Sequence, residues 1–367
     1  RRLTPAPCRH KVAKRSVKAM PHFRVGITPD FYVDAKGRFE RVLEQTLSGI
    51  ARLEFAPMPP QPGKLAAPEA LDQFDAIFAL GLKFTRESLR GLQRLALIAR
   101  WGVGYDMIDV EAITEAGVLL AITPKAVRGP VAEAILTLMF ALSKNLLEQD
   151  RITRQGRWRG DLSRLGRTLD GKTLGSLGCG NIARELFRRA ASLGFGRFIA
   201  HDPYVEAEAV RGLGVETVSM EELFRASDYL AVNTLLNAAT RGLVGERQFR
   251  MMKPGAFFIN TARGPIVEQQ ALVKALQERW IAGAGIDVFA KEPPDPDDPL
   301  LKLDNVILAP HGLAWAEELA RDNTLEACQN ILTVARGEVP EAIVNPAVLE
   351  HPAFQRKLAR FKAAPAG

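Results

Sequence analysis

The run Thr173-Leu-Gly-Ser-Leu-Gly178-Cys179-Gly180-Asn181-Ile182-Ala183 constrains the fold of this chain more than any other stretch. A short apolar segment ends in GxGxxA and passes into an amphipathic one, so it reads as a strand turning directly into a helix. Gly178 permits the tight turn, Gly180 lets the backbone approach a ligand, and Ala183 is small enough for close helix-to-strand packing. The N–H groups at the start of such a helix, those of Asn181 and Ile182 among them, and its dipole favour an anion. The next apolar segment, Arg197 to His201, ends at Asp202, 24 residues after Gly178. A carboxylate there accepts both hydroxyls of an adenosine ribose and repels a 2′-phosphate, so the pattern predicts a site for NAD rather than NADP. His201 reads as a neighbour of the adenosine and Cys179 as a bystander in the turn.

Short apolar runs alternate with amphipathic ones along the rest of the chain, the signature of an α/β protein with doubly wound parallel sheets. Expected strands are Arg24 to Ile27, Asp75 to Leu80 and Ala96 to Arg100 in a first unit, with helices Arg38 to Gly49 and Val110 to Gly117. Prolines at 57, 59, 60, 62 and 68 exclude a helix from Ala56 to Pro68, which reads as a surface loop. An apolar helix from about Arg128 to Asp150 follows. A denser second series then begins: Thr173 to Leu177, Arg197 to His201, Tyr229 to Val232, Ala256 to Ile259, Gly283 to Val288 and Asn305 to Leu308. A final helix is expected from Trp315 to Arg336.

With 367 residues, 47% of them hydrophobic, the chain can build two cores. Its most apolar stretch, Val131 to Leu147, carries Glu133 and Lys144, so no run is read as reaching the roughly 18 to 20 residues of a membrane span. The net charge of +7 is concentrated at the start, where residues 1 to 24 hold eight Lys or Arg and no acid. The remaining 41 of 49 basic residues face 42 acidic ones, which argues against a nucleic-acid surface. Residues 1–22 look like an organelle targeting segment, chloroplast before mitochondrion, with the cytoplasm as the location otherwise. Cys8, Cys179 and Cys328 fit neither a disulfide framework nor a metal site, and no metal is expected.

Three polar elements follow the last strands: Asn260-Thr-Ala-Arg263-Gly264, Asp287-Val-Phe-Ala-Lys-Glu292-Pro293 and Ala309-Pro310-His311-Gly312. Ligands bind at the carboxyl ends of strands in such sheets. Hydride delivery to a 2-oxo acid needs a cation for the carboxylate and a proton donor for the forming alkoxide. Arg263 and His311 are of those types, and a carboxylate such as Glu292 beside the imidazole favours its charged form.

At these residues, from about Arg24 to Pro346, the chain resembles the D-isomer-specific 2-hydroxyacid dehydrogenase family. The matching segments are RWGVGYDMID (100–109), PVAEAILTLMFAL (130–142), the GxGxxA loop, INTARGPIVE (259–268), AGIDVFAKEP (284–293) and NVILAPH (305–311). Met107, Glu268 and the Gly-Leu-Ala-Trp315 after His311 depart from the usual pattern. The resemblance implies that Arg263 orients substrate, His311 is the acid/base and Glu292 tunes it. It implies that Asp287 holds the nicotinamide carboxamide, that Asn233 and Thr234 line the cofactor cleft, and that Val103 and Gly104 N–H groups cup the substrate carboxylate. Thr240, Thr261 and Gly312 are placed with the cofactor residues, and Leu82, Lys83 and Trp315 with the substrate. The loop Leu80 to Thr85 is expected to turn Leu82 and Phe84 toward a small substrate side chain.

The fold implied is two Rossmann-like domains, with an NAD-binding domain (124–312) inserted into a discontinuous substrate domain (23–123 and 313–346) and a C-terminal tail (347–367). A homodimer or higher homo-oligomer is expected, built partly on the helix after Pro130. The expected function is an NAD-dependent 2-oxoacid reductase, with pyruvate to D-lactate first, then glyoxylate or hydroxypyruvate. A D-3-phosphoglycerate dehydrogenase and an NAD-responsive, corepressor-like binding protein are the alternatives.

Overall fold

The computed structural model describes residues 22–35, 40–48, 50 and 53–362. The basic segment read as targeting therefore lies, apart from His22, outside the described residues.

Two parallel sheets carry the chain. In the first, β1 (Phe23–Ile27), β2 (Leu53–Pro57), β3 (Ala76–Ala79), β4 (Leu97–Arg100) and β5 (Leu119–Ala121) lie in the order β2-β1-β3-β4-β5. The second holds β6 (Thr173–Leu177), β7 (Arg197–His201), β8 (Val215–Thr217), β9 (Tyr229–Val232), β10 (Phe257–Asn260), β11 (Gly283–Ile286) and β12 (Val306–Leu308). Their order is β12-β11-β10-β9-β6-β7-β8. All four residues of β3, of β9 and of β10 are buried, as a parallel sheet covered by helices on both faces requires. Strand order reverses between β1 and β3 and again between β6 and β9, and a crevice for ligand opens at the carboxyl ends of strands at such points.

Strands β2, β5 and β8 are additions to the sequence reading. β5 and β8 have three residues each, too few to show an alternation, and β2 runs into the proline-rich stretch.

The long apolar helix is broken at Asn145, whose φ of +53° interrupts the hydrogen-bond ladder, giving helices Pro124–Ser143 and Leu146–Arg154. The first has 20 residues and a mean hydropathy of 1.4 in its most apolar window, long and apolar enough to cross a membrane. This corrects the expectation that no run reaches that length, because its few charges barely lower the mean. Ala132, Ile135, Leu138, Met139 and Leu142 form one face at helical spacing and pack against the helix Asn181–Ala190, β10 and β11.

The stretch 347–367, expected as a tail, is folded as far as Lys362. A helix Pro352–Lys362 buries Phe354 and Phe361 in the core beneath β1 and β4, with the Phe361 ring 4.9 Å from that of Phe23. Its apolar residues are few, but positions 354 and 361 are two helical turns apart and share a face. The helix Glu317–Ala335 also returns to the first sheet, burying Ala327, Ile331 and Val334 in the same core.

Candidate active site

The turn after β6 is made as its glycines require. Gly178 has φ +92°, and a Cβ there would press within 2.9 Å of Asn233 O, Asn233 C and Thr234 N, so glycine lets the β6 and β9 loops touch. A Cβ on Gly180 would meet no protein atom within 4 Å, so open space faces the start of the helix Asn181–Ala190. Ala183 is fully buried beneath it. Asp202 Oδ2 accepts the Cys179 N–H at 2.8 Å and Oδ1 accepts that of Tyr204 at 2.9 Å. These bonds fix the carboxylate beside the loop and leave each oxygen further lone pairs. The Asn233 amide donates to Ser176 Oγ at 2.9 Å. Gly178, Gly180, Asn181, Ile182, Asp202, Asn233 and Thr234 thus share one crevice, and the donor set fits a dinucleotide. Buried Thr261 Oγ1, next to β10, has no hydrogen-bond partner. Burial pushes the Cys179 thiol up, as befits a bystander, and His201 Nδ1 lies 2.9 Å from Val218 O, a structural contact.

Arg263, Glu292 and His311 come together where β10, β11 and β12 end. His311 Nδ1 lies 2.8 Å from Glu292 Oε2, while Glu292 Oε1 accepts the Phe289 N–H at 3.0 Å. Burial would raise the Glu292 carboxyl, but the His311 hydrogen bond and charge, the Phe289 N–H and the charge of Arg263 outweigh it and hold the carboxyl below its ordinary value. An ionised carboxylate only accepts, so Nδ1 carries the proton and donates. The His311 side chain is 41% exposed, so a small molecule can reach the ring.

Backbone support comes from Asp287, which is 4% exposed. Its O accepts the His311 N–H at 2.7 Å and its Oδ1 accepts those of Gly312 and Leu313 at 3.0 and 3.3 Å. His311 has φ +52°, and these bonds hold a non-glycine residue in that left-handed conformation. Burial raises the Asp287 carboxyl against the pull of these donors.

Across the cleft, the loop after β4 approaches Arg263. A Cβ on Gly104 would collide with the Arg263 Nη2, so glycine lets the guanidinium lie on the backbone. Among the described residues, the Val103 and Gly104 N–H groups donate no hydrogen bond. Arg263 Nε donates to Asp106 Oδ1 at 2.8 Å and Nη1 to Ala262 O at 2.7 Å. Arg100 ties the loop from behind, its Nε donating to Gly104 O at 2.9 Å and its Nη1 to Trp101 O. Neither Asp106 nor Arg100 was singled out from the sequence. Both lie in the segment RWGVGYDMID, and an arginine and an acid brought together at a strand end and the loop after it were the available signal.

Other expected site residues fall elsewhere. Leu82 is 4% exposed and Phe84 1%, both in the core with Leu71, Phe74 and Leu89. This corrects the placement of Leu82 against the substrate: in an extended segment residues 82 and 84 share a face, and that face is the core one. Lys83 is exposed, its backbone paired with Lys64 and Ala66. The Thr240 hydroxyl is consumed within its own turn, donating to Leu235 O at 2.5 Å and accepting the Asn237 N–H at 2.8 Å. Trp315 is half-exposed and packs edge-on to Trp101 at 6.1 Å, joining the loop after His311 to the first sheet.

Comparison with known proteins decides the family. Residues 136–312 match the NAD binding domain of the D-isomer specific 2-hydroxyacid dehydrogenases. The chain is 37% identical over 300 residues to a glyoxylate reductase of Korarchaeum cryptofilum, covering 80% of this chain and 90% of that one. The chain belongs to the D-isomer specific 2-hydroxyacid dehydrogenase family. As in that family, it is an oxidoreductase acting on the CH–OH group of 2-hydroxy acids and carries an NAD-binding domain. A D-3-phosphoglycerate dehydrogenase of Methanocaldococcus jannaschii is 39% identical over 267 residues, 72% of this chain but 50% of that one. The crystal structure of a glyoxylate reductase from Paecilomyes thermophila superposes with a TM-score of 0.77 at 30% identity, covering 89% of this chain and 99% of that one.

Proposed function

We propose that this dehydrogenase reduces a small, unphosphorylated 2-oxo acid with NADH, glyoxylate ahead of hydroxypyruvate and pyruvate. The observation that carries the reading is the His311–Glu292 pair facing Arg263 and the unpartnered Val103 and Gly104 N–H groups. Bound NADH supplies the hydride for the carbonyl carbon. Arg263 Nη2 and the two N–H groups hold the substrate carboxylate, and His311 passes a proton to the carbonyl oxygen as it becomes an alkoxide. Glu292 keeps the imidazole oriented and favours its charged form. Asp287 keeps the loop bearing His311 in place.

The substrate ranking departs from the sequence expectation of pyruvate first. Leu82 and Phe84, which supported a methyl-sized pocket, are core residues. The glyoxylate reductase relative matches over nearly its whole length, whereas the phosphoglycerate dehydrogenase relative is matched over half. Arg100, whose charge Arg263 feels, is committed to main-chain carbonyls and is not free for a phosphate. Asp202 supports NADH over NADPH, because a 2′-phosphate would meet its negative charge.

A homodimer is part of the proposal. Phe140, Leu146 and Leu147 are 41%, 53% and 54% exposed along the helices Pro124–Ser143 and Leu146–Arg154, an apolar strip suited to a second copy. Steady-state reduction of glyoxylate, hydroxypyruvate, pyruvate and 3-phosphohydroxypyruvate with each cofactor tests the substrate reading. The largest kcat/KM is expected for glyoxylate with NADH, and an about tenfold preference for the phosphorylated acid overturns it.

A further inference from the structure

We propose that Asp106 is a positioning residue that grips the Arg263 guanidinium by Nε so that Nη2 is presented over Gly104 before substrate arrives. This rests on the reading of Arg263 as the carboxylate-binding cation.

Arg263 follows β10 of the cofactor-side sheet, and Asp106 follows β4 of the other, 157 residues away in sequence. Their 2.8 Å contact therefore bridges the two sheets across the cleft. Two of the three guanidinium nitrogens are spoken for, Nε by Asp106 and Nη1 by Ala262 O. The third, Nη2, lies where a Cβ on Gly104 would sit. Both side chains of the pair are largely shielded, with exposures of 22% and 24%. The contact is thus better protected from water than a surface ion pair.

A negative charge at position 106 is called for by the second guanidinium. Arg100 cannot swing away, since Gly104 O and Trp101 O hold it. Burial and then the like charge of Arg263 push Arg100 down to about 10, with Asp106 and Asp30 opposing. Burial alone would raise the Asp106 carboxyl, yet Arg263 and Arg100 bring it below its ordinary value. Without Asp106, Arg263 would face Arg100 with no carboxylate bound to it. An arginine side chain has many rotamers, and fixing it in advance removes that ordering from the cost of binding substrate.

The test uses the full chain as wild type, Asp106→Ala, Asp106→Asn and Arg263→Ala, with glyoxylate kinetics at saturating NADH and NADH affinity from nicotinamide fluorescence. Asp106→Ala is expected to raise KM for glyoxylate about tenfold or more, lower kcat less, and leave the NADH Kd within about twofold. Asp106→Asn is expected to recover part of the loss, because its amide oxygen still accepts from Nε. A KM within about twofold of wild type in Asp106→Ala overturns the positioning role while Arg263→Ala still fails. Parallel weakening of glyoxylate and NADH in both Asp106 variants also overturns it, in favour of a purely structural role. An Arg263→Ala enzyme with unchanged KM and kcat overturns the underlying reading of Arg263 instead.

Discussion

Glu292 receives the Nδ1–H of His311 at 2.8 Å, and its second oxygen takes the Phe289 N–H at 3.0 Å, so each oxygen of the carboxylate is anchored by one donor. Such an arrangement fixes the tautomer and the plane of an imidazole that must exchange a proton with substrate.

Glu292→Gln keeps the size of the side chain and removes the charge. We expect kcat for glyoxylate reduction to fall about tenfold or more with NADH affinity little changed. Stopped-flow single-turnover rates check this. A rate within about twofold of wild type contradicts the pairing as a catalytic device.

Asp202 governs cofactor choice through its charge. Asp202→Ala is expected to weaken NADH and to relieve the repulsion of NADPH, moving the NADH/NADPH ratio of kcat/KM toward parity by about tenfold or more. Unchanged cofactor selectivity in this variant places the discrimination elsewhere.

The helix Pro352–Lys362 belongs to the first core. Phe354 is 1% exposed within it, so Phe354→Ala is expected to cost about 3–5 kcal/mol, read from denaturant unfolding. A loss under about 1 kcal/mol means that the helix is only loosely docked.

Lys357 on the same helix is 5% exposed, with Nζ donating to Ala116 O at 3.2 Å and Gly117 O at 3.1 Å. Burial lowers it to about 8 from its ordinary 10.5. A lysine whose folded value lies below its unfolded value binds fewer protons when folded, so stability rises with pH through that window. The penalty is full below about pH 8 and vanishes toward pH 10.5. Relative to Lys357→Met, the wild-type protein is expected to gain about 3 kcal/mol over this range, measured as the difference between the two pH–stability curves. A flat difference curve contradicts it.

The cofactor crevice was the most legible part of the sequence, because its chemistry is local: the turn at Gly178, the small Ala183 and Asp202 at the next strand end lie within one strand-helix-strand unit. Arg263, Glu292 and His311 were legible as strand-end residues, and the parallel order of β10 to β12 brings them together. Asp106 was not, since its partner is 157 residues distant and only tertiary packing joins them. Leu82 and Phe84 were misread because their loop was placed by the resemblance, which does not say which face of an extended segment is core. The helix carrying Phe354 and Phe361 looked like a tail because its apolar face is narrow, with only Leu358 beside them among basic residues.

His311 as the proton donor is the central claim, and side-by-side glyoxylate reduction by wild type and His311→Gln tests it most directly. Turnover by wild type, a loss of about two or more orders of magnitude in the variant, and an NADH affinity common to both are the predicted results. Equal turnover in the two proteins, or none by wild type on any 2-oxo acid, contradicts the account.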